Sequence, residues 1–254
     1  MKINNIYNED CFVTMGNMPK HFIDTIITSP PYNTMRTNVN DVGYDVYIDN
    51  INNKDYIEWT IKIFNEFNRI LKKNGVIIYN LSYGGENTSL MNLVVSDIIR
   101  NTEFTLADII VWKKTTATPN NVSPNKLTRI VEFVYIFCRK KEFETFSANK
   151  EKKSKSTTDQ NIYGNIYNFI EAKNNDGSND LNKATYSTEL VRKLAKIYCL
   201  KNSLIYDPFM GTGTTALGCV IDNHNFIGSE ISKDQCDYAI KRLQPFLNQT
   251  SLFQ

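Results

Sequence analysis

The sequence has little of what metal sites and disulfide frameworks require. It contains five cysteines without a Cys-x-x-Cys pair, and its two histidines, His21 and His224, lie far apart with no metal-ligand spacing around them. Because free cysteine commonly behaves as a small core residue, we expect buried, reduced thiols and no metal. The cysteines are Cys11, Cys138, Cys199, Cys219 and Cys236.

Long apolar runs are also missing. No stretch approaches the roughly 20 apolar residues that a membrane-spanning helix needs, and residues 1–10 lack the apolar core of a signal peptide. We therefore expect no membrane contact and a cytoplasmic protein. The net charge of +2 is too small to indicate a nucleic-acid partner by itself, so any basic surface has to be local.

The pattern that is present is that of an α/β protein. With 254 residues the chain can form one sizeable core and a small inserted lobe. Short β-branched runs alternate with amphipathic helical stretches, which predicts strands at residues 22–28, 76–81, 107–112, 129–138, 203–206 and 226–228. The predicted helices cover residues 56–71, 90–100, 189–200, 214–222 and 233–246. The first helix places one apolar face inward, formed by Ile57, Ile61, Phe64, Phe67, Ile70 and Leu71.

Two polar stretches interrupt this alternation. Residues 113–126 are rich in Thr, Asn and Pro and contain no acidic residue, and residues 139–180 are polar and loop-like. Between residues 139 and 155 seven Lys/Arg stand against three Glu. Such charge runs are usually solvated, partly disordered insertions, and DNA contact is the alternative interpretation.

A glycine-rich segment, Asp-Pro-Phe-Met-Gly-Thr-Gly-Thr-Thr at 207–215, follows a predicted strand and opens a predicted helix. Glycines allow a tight turn and close approach to a ligand, and the helix N-terminus offers N–H groups. Neither a Gly-Lys-Ser/Thr nor a third glycine at dinucleotide spacing follows. Glu230 ends the next predicted strand, where a carboxylate can accept hydrogen bonds from both ribose hydroxyls. This combination predicts a nucleoside site.

A second loop, Thr-Ser-Pro-Pro-Tyr-Asn at 28–33, lies at the end of a predicted strand. Two prolines fix φ and remove two donors. A rigid turn would explain the prolines but not the neighbouring Ser, Tyr and Asn. Ser29 Oγ and the Pro30 carbonyl can accept hydrogen bonds from a base amino group, and Tyr32 offers an aromatic face for stacking.

Together the two motifs resemble those of the DNA amino-methyltransferases, the N4-cytosine/N6-adenine family. Residues 28–33 resemble the catalytic (D/N/S)-P-P-(Y/F/W) motif, and residues 207–215 resemble the cofactor motif D-P-F-x-G-x-G-T. The catalytic motif comes first and an insertion separates the two, which is similar to the β group, as in type II restriction-modification systems. The resemblance implies a Rossmann-like methyltransferase fold: a mixed, mostly parallel seven-stranded sheet with helices on both faces, permuted motif order and a small inserted target-recognition lobe.

Other segments extend this resemblance. Residues 8–11 resemble the family's G-D-C element, whose acid contacts the cofactor adenine. Residues 129–140 are similar to its His-Glu-x-x-x-x-F strand, with Val131 in place of His and Glu132 retained. Residues 183–190 depart from the H-P-x-x-K-P-x-x-L helix start at Ala184, Tyr186 and Ser187.

The resemblance implies S-adenosylmethionine as cofactor and double-stranded DNA as partner. It implies a flipped base and direct in-line transfer; methylation at cytosine carbon 5 would need a Pro-Cys pair, which the chain lacks. The implied catalytic residues are Ser29, Pro30, Pro31 and Tyr32. The implied cofactor contacts are Asp10, Cys11, Asp207, Phe209, Gly211, Gly213, Thr214 and Glu230. The expected DNA contacts are Asn33, Lys113, Lys114, Lys126, Arg129, Lys152 and Lys153.

Several alternatives stay open at this point. Serine before Pro-Pro slightly favours cytosine N4 over adenine N6, because aspartate dominates among adenine enzymes. A methyltransferase for RNA or protein glutamine can share a Pro-Pro-Tyr loop, and an inactive DNA-binding module is another class. A cognate restriction endonuclease and a homodimer are partners that the sequence does not decide. We expect residues 1–138 to form the catalytic half, 139–180 the inserted lobe and 181–254 the cofactor half.

Overall fold

The computed structural model describes residues 1–33, 51–83, 87–117, 119–121, 124–177, 181 and 185–250, with the backbone alone for 248–250. These residues form an eight-stranded sheet and a separate two-stranded hairpin, β6–β7. The strands are β1 (Asn5–Tyr7), β2 (Ile23–Thr28), β3 (Leu71–Leu81), β4 (Phe104–Lys114), β5 (Val131–Arg139), β6 (Lys152–Lys155), β7 (Asn161–Tyr163), β8 (Phe169–Ala172), β9 (Leu204–Asp207) and β10 (Asn225–Ser229).

The large sheet has the order β1-β10-β9-β2-β3-β5-β4-β8. Neighbouring strands run parallel except at β5, which is antiparallel to both β3 and β4. The helices are α1 (Cys11–Gly16), α2 (Asn53–Ile70), α3 (Leu90–Asn101), α4 (Thr188–Tyr198), α5 (Thr214–Ile221) and α6 (Lys233–Thr250), with a short 3-10 helix at Lys140–Thr145. The predicted α/β fold with a mostly parallel sheet is confirmed.

Helices cover both faces of the sheet because consecutive strand residues point to opposite sides. Ile26 and Ile77 pack with α1, α2 and α3 on one face, while Ile27 and Ile78 pack with α4, α5 and α6 on the other. The five cysteines are free and buried, as predicted. Among the described residues, no helix combines the length and the apolar character needed to cross a bilayer.

Helix α2 begins three residues before its predicted start. The Asn52 side chain accepts a hydrogen bond from the Asp55 N–H at 3.0 Å, which caps the first turn. The helix ends at Ile70, and strand β3 starts directly at the next residue. The predicted apolar face is partly wrong: Ile57 and Ile61 are only half-buried. The residues that α2 buries are Tyr56, Thr60, Ile63, Phe64, Phe67 and Ile70.

The sheet has one more strand than the seven predicted. Residues 169–172, taken as part of a polar loop, form β8 and pair in parallel with β4. Ile170 and Ala172 are buried, and the Trp112 indole donates a hydrogen bond to the Ala172 carbonyl at 3.2 Å. With four residues and two exposed side chains, β8 is too short for its alternation to stand out in the sequence.

Candidate functional site

The two loops singled out in the sequence leave the same edge of the sheet. Loop 28–33 follows β2 and loop 207–215 follows β9, and these strands are adjacent and parallel, with Ile26 opposite Tyr206. Strands β1 and β10 end at this edge too, since the Glu230 N–H donates to the Tyr7 carbonyl at 3.0 Å. Ligands of open α/β sheets bind at the carboxyl ends of the strands. We refer to this region as the carboxyl edge.

A single buried carboxylate joins the two loops. Asp207 is 1% exposed, and its Oδ1 accepts hydrogen bonds from Thr28 Oγ1 at 2.7 Å and from the Phe209 N–H at 3.0 Å. Its Oδ2 accepts from Thr215 Oγ1 at 2.5 Å and from the Tyr186 hydroxyl at 3.1 Å. Burial raises the pKa of the Asp207 carboxyl, and the four hydrogen bonds oppose that rise. The carboxylate therefore fixes the end of β2 against the glycine loop.

Sequence reasoning missed three of these partners, Thr28, Tyr186 and Thr215. In the sequence Tyr186 is only a departure from a family motif, yet its hydroxyl lies 2.5 Å from Thr215 Oγ1 and 3.1 Å from Asp207 Oδ2. Burial raises the pKa of Tyr186 well above its ordinary value, so the phenol stays protonated and donates. The available signal was the hydroxyl of Thr28 at the end of β2, but its partner Asp207 lies 179 residues away in the chain.

We expect Thr28→Val to lower the free energy of unfolding by about 1–3 kcal/mol, because Asp207 then loses a buried donor that water cannot replace. Denaturant unfolding measures this difference. Thr105→Val in β4 is the matched control, since the half-buried Thr105 hydroxyl makes no hydrogen bond within the described residues. Equal losses in both variants would contradict the role of the Thr28–Asp207 bond.

The glycine loop adopts the backbone that its sequence predicted. Gly211 and Gly213 have φ angles of +54° and +84°. Gly213 is the N-cap of α5 and provides no side-chain cap, so the first N–H groups of α5 face the carboxyl edge without a capping oxygen. Thr214 is buried, and its Oγ1 accepts a hydrogen bond from Arg242 at 3.1 Å. The half-buried Phe209 ring packs 5.5 Å from the Trp59 ring.

Glu230 lies directly against this loop. One carboxylate oxygen accepts from the Gly211 N–H at 2.7 Å and the other from the Ser232 N–H at 2.8 Å. The predicted residues at the end of β1 are close by, because the Asn8 side chain donates to the Glu230 carbonyl at 2.9 Å. A carboxylate beside an uncapped helix start suits a ligand that carries both hydroxyl donors and polar acceptors, as a nucleoside does.

Asp10 and Cys11 form the start of α1. Asp10 is exposed and caps the helix by accepting from the Phe12 N–H at 2.7 Å. Cys11 is buried, and burial raises the pKa of its thiol to about 12. The thiol is therefore neutral at physiological pH and has no nucleophilic character.

Neighbouring side chains hold the Pro-Pro loop. The Tyr56 hydroxyl donates to the Pro31 carbonyl at 2.6 Å, whereas the Pro30 carbonyl accepts no hydrogen bond within the described part of the chain. Asn33 is fully buried in a left-handed conformation with φ of +52°, and its amide donates to the Ile51 carbonyl at 2.7 Å. Among the described residues, the Pro30 carbonyl is therefore a backbone acceptor available to a ligand.

The Tyr32 hydroxyl contacts three polar side chains. It lies 2.8 Å from Ser29 Oγ, 3.0 Å from Asn80 Oδ1 and 3.3 Å from Glu132 Oε2. Strands β3 and β5 bring Asn80 and Glu132 to the carboxyl edge. Glu132 in turn forms an ion pair with Lys114 at the end of β4. Of these, sequence reasoning had given Lys114 a different role, in DNA binding.

Apart from the buried Asn33, the other predicted DNA-contacting residues fall into three places. Lys113, which pairs with Glu171 at 2.9 Å, and Arg129, whose guanidinium lies 4.9 Å from the centre of the Tyr83 ring, are at the carboxyl edge. Lys126 is exposed in the segment between β4 and β5. Lys152 and Lys153 are exposed on the β6–β7 hairpin.

Known proteins resemble this chain over most of its length. The model of the N6_N4_Mtase family, described as DNA methylase, matches residues 23–241. Type II methyltransferase M.BglII of Bacillus subtilis is 24% identical over 261 residues, which cover 95% of this chain and 69% of that protein. The structure of PvuII DNA methyltransferase (cytosine-N4-specific) has a TM-score of 0.74 at 16% identity and covers 96% of this chain and 91% of its own. The structure of an M1.HpyAVI–SAM complex has a TM-score of 0.61 at 23% identity and covers 94% of this chain and 98% of its own. Both structures share the fold described above.

Proposed function

The chain belongs to the N6/N4 DNA methylase family, and we propose that loop 28–33 holds its target base while loop 207–215 holds S-adenosylmethionine. The protein is a site-specific DNA methyltransferase that uses S-adenosylmethionine to methylate an exocyclic amino nitrogen. The assignment of roles is carried by the 2.7 Å bond between Thr28 and Asp207, since it brings both loops to one edge of the sheet.

At the base, the chemical difficulty is a weak nucleophile. The lone pair of an exocyclic amino group is delocalised into the ring, so acceptors that pull on the N–H protons favour a more nucleophilic nitrogen. Ser29 Oγ and the Pro30 carbonyl provide these acceptors, and the Tyr32 ring stacks on the base. The base has to leave the duplex to reach them, which costs a few kcal/mol. The protein contributes mainly positioning and electrostatics.

At the donor side, bound S-adenosylmethionine supplies a methyl group on a positively charged sulfur. Glu230 is placed to accept hydrogen bonds from ribose hydroxyls, and Gly211 lets the backbone approach closely. We propose Asp10, Cys11, Phe209, Gly213 and Thr214 as further contacts of the cofactor. Asp207 acts from behind the loop, because its oxygens are already engaged by four donors from the protein.

We propose cytosine N4 as the methylated atom. Serine rather than aspartate precedes Pro-Pro, and the PvuII enzyme, which shares the fold, is cytosine-N4-specific. Mass spectrometry of nucleosides from host DNA in which the gene is expressed should show N4-methylcytosine. N6-methyladenine without N4-methylcytosine would contradict this choice. In an assay with labelled S-adenosylmethionine, methyl label found only in RNA or protein would contradict the DNA substrate.

The exposed Lys152 and Lys153 of the β6–β7 hairpin are proposed DNA contacts within an inserted lobe at 139–180, between catalytic and cofactor halves at 1–138 and 181–254. Replacing both lysines by alanine should weaken DNA binding and reduce the salt dependence of log K by about two, since each phosphate contact contributes about 0.9. Fluorescence anisotropy over a salt series measures the slope.

The matched control is Lys73→Ala with Lys141→Ala. It removes the same charge beside a cavity of about 610 Å³ that lies at the opposite edge of the sheet, where β3 begins and β5 ends. A slope that falls equally in both double variants would mean that only net charge matters.

We further propose a cognate restriction endonuclease, a homodimer and a cytoplasmic location, where the DNA substrate lies. DNA from cells that express the protein should resist one endonuclease activity of the source organism. Analytical sedimentation, or size-exclusion chromatography with light scattering, gives the oligomeric state. A fully cleaved DNA sample or a monomer at micromolar concentration would contradict the respective proposal.

A further inference from the structure

From the polar contacts around Tyr32 we infer that a directed chain of hydrogen bonds turns Ser29 into an acceptor-only group for the target amino nitrogen. The chain of groups, called here the hydroxyl chain, consists of Ser29, Tyr32, Asn80 and Glu132. It makes Asn80 and Glu132 positioning residues for the reaction. The inference rests on the proposed role of Ser29 at the base.

The direction is set at Asn80. Its Nδ2 donates to the Phe133 carbonyl at 3.1 Å, so the atom that faces Tyr32 is Oδ1, which can only accept. The second neighbour, Glu132, is held beside the ammonium of Lys114, and an ionised carboxylate also only accepts. Asn80 is 4% exposed, so water has little access to replace its contact with Tyr32.

A phenol has one proton. Because both Asn80 and Glu132 are acceptors, the Tyr32 hydroxyl donates toward them and presents only lone pairs to Ser29, 2.8 Å away. Ser29 must then be the donor in that contact. Its single proton is thereby used, and the remaining lone pairs of Ser29 Oγ are what the ligand meets.

This explains how serine performs the task that aspartate performs in related motifs. A carboxylate is an acceptor in every orientation, whereas a hydroxyl free to rotate can direct its proton at the amino group and oppose the reaction. The hydroxyl chain removes that freedom. Tyr32 therefore has two separable contributions, stacking by its ring and orientation of Ser29 by its hydroxyl.

The test is a double-mutant cycle with Tyr32→Phe and Ser29→Asp, measured by steady-state methyl transfer. With serine at position 29, Tyr32→Phe should lower kcat by about 10-fold or more, while KM for DNA and Kd for S-adenosylmethionine change less than about twofold. With aspartate at position 29, the same loss of hydroxyl should cost less than about threefold, because the carboxylate needs no orientation. Equal losses in both backgrounds would overturn the inference.

Should Ser29→Asp not turn over, Asn80→Leu provides the second measurement. It removes the acceptor for Tyr32 and keeps a similar volume, but it also removes the donor to the Phe133 carbonyl, so kcat should fall several-fold with KM near that of the native protein and with a lower thermal midpoint. An unchanged kcat would overturn the inference. Ser29→Ala distinguishes the role of Ser29 at the base from its orientation by the hydroxyl chain. Full activity of Ser29→Ala refutes the base-holding role itself, whereas an inactive Ser29→Ala together with an additive cycle refutes only the hydroxyl chain.

Discussion

Gly213→Val is expected to abolish measurable binding of S-adenosylmethionine and to destabilise the fold. Gly213 has a φ of +84°, which a β-branched residue strongly disfavours, and a Cβ built there would lie 2.8 Å from the Ala239 Cβ. Strain and overpacking together cost roughly 2–6 kcal/mol. The loop can relieve this by moving the start of α5, where the proposed N–H donors to the cofactor lie. Isothermal titration calorimetry and thermal unfolding measure the two effects.

The matched control is Gly16→Val at the end of α1. A Cβ at Gly16 meets no atom within 4 Å, and the φ of Gly16 is not positive. The Gly16→Val variant should therefore bind the cofactor normally and lose little stability. If Gly213→Val bound S-adenosylmethionine as tightly as Gly16→Val does, the donor site would have to lie elsewhere on the carboxyl edge.

The sequence was sufficient to predict which loops meet. Each motif follows a strand and precedes a helix, and parallel strands in such units end at one edge of the sheet. For this reason residues 29–32, residues 211–214 and Glu230 could be assigned to one site before any distance was known. Glycine pairs and Pro-Pro also act locally, so their backbone conformation is encoded within a few residues.

The contacts that connect these loops could not be predicted. The bond between Thr28 and Asp207 and the contact between Tyr32 and Glu132 span 179 and 100 residues. They depend on strand order: hydrophobic periodicity predicts a strand at residues 129–138, but it does not show that this strand, which carries Glu132, lies antiparallel between β3 and β4. Lys114 illustrates the consequence: as an isolated charge it suggested DNA binding, but its nearest partner is the carboxylate of Glu132.

Element ends were predicted less well than element positions. Helix α2 and strand β3 adjoin without a loop at Leu71, whereas the sequence predicted a helix over residues 56–71 and a strand that starts only at residue 76. Leu71 at the start of β3 is buried, as is the last residue of α2, so the change from the helical to the strand period does not stand out in the sequence. Strand β8 was missed for a related reason, because a four-residue edge strand supplies only two buried positions.

Tyr32→Ala is expected to lower kcat/KM by about 10²–10³-fold while cofactor affinity stays within about twofold. Loss of base stacking contributes about 1–3 kcal/mol. Loss of the contact to Ser29 lowers the rate further, because the Ser29 hydroxyl is then no longer oriented. Because Tyr32 lies on the β2 loop, where its hydroxyl contacts Ser29, Asn80 and Glu132, and most of the proposed cofactor contacts lie on loop 207–215, S-adenosylmethionine binding should be preserved. Calorimetry for the cofactor and radiolabelled methyl transfer to DNA separate the two quantities.

The control variant is Tyr238→Ala, which removes an aromatic side chain that is 39% exposed on α6. Duplex DNA with 2-aminopurine at the target position adds a direct readout, since its fluorescence rises when the base leaves the stack. Tyr32→Ala should reduce this rise, Tyr32→Phe should keep it, and Tyr238→Ala should behave as the native protein. In the proposed mechanism the Tyr32 ring holds the extruded base and its hydroxyl acts on the chemical step. A full fluorescence rise in Tyr32→Ala would therefore assign the base to a different aromatic face.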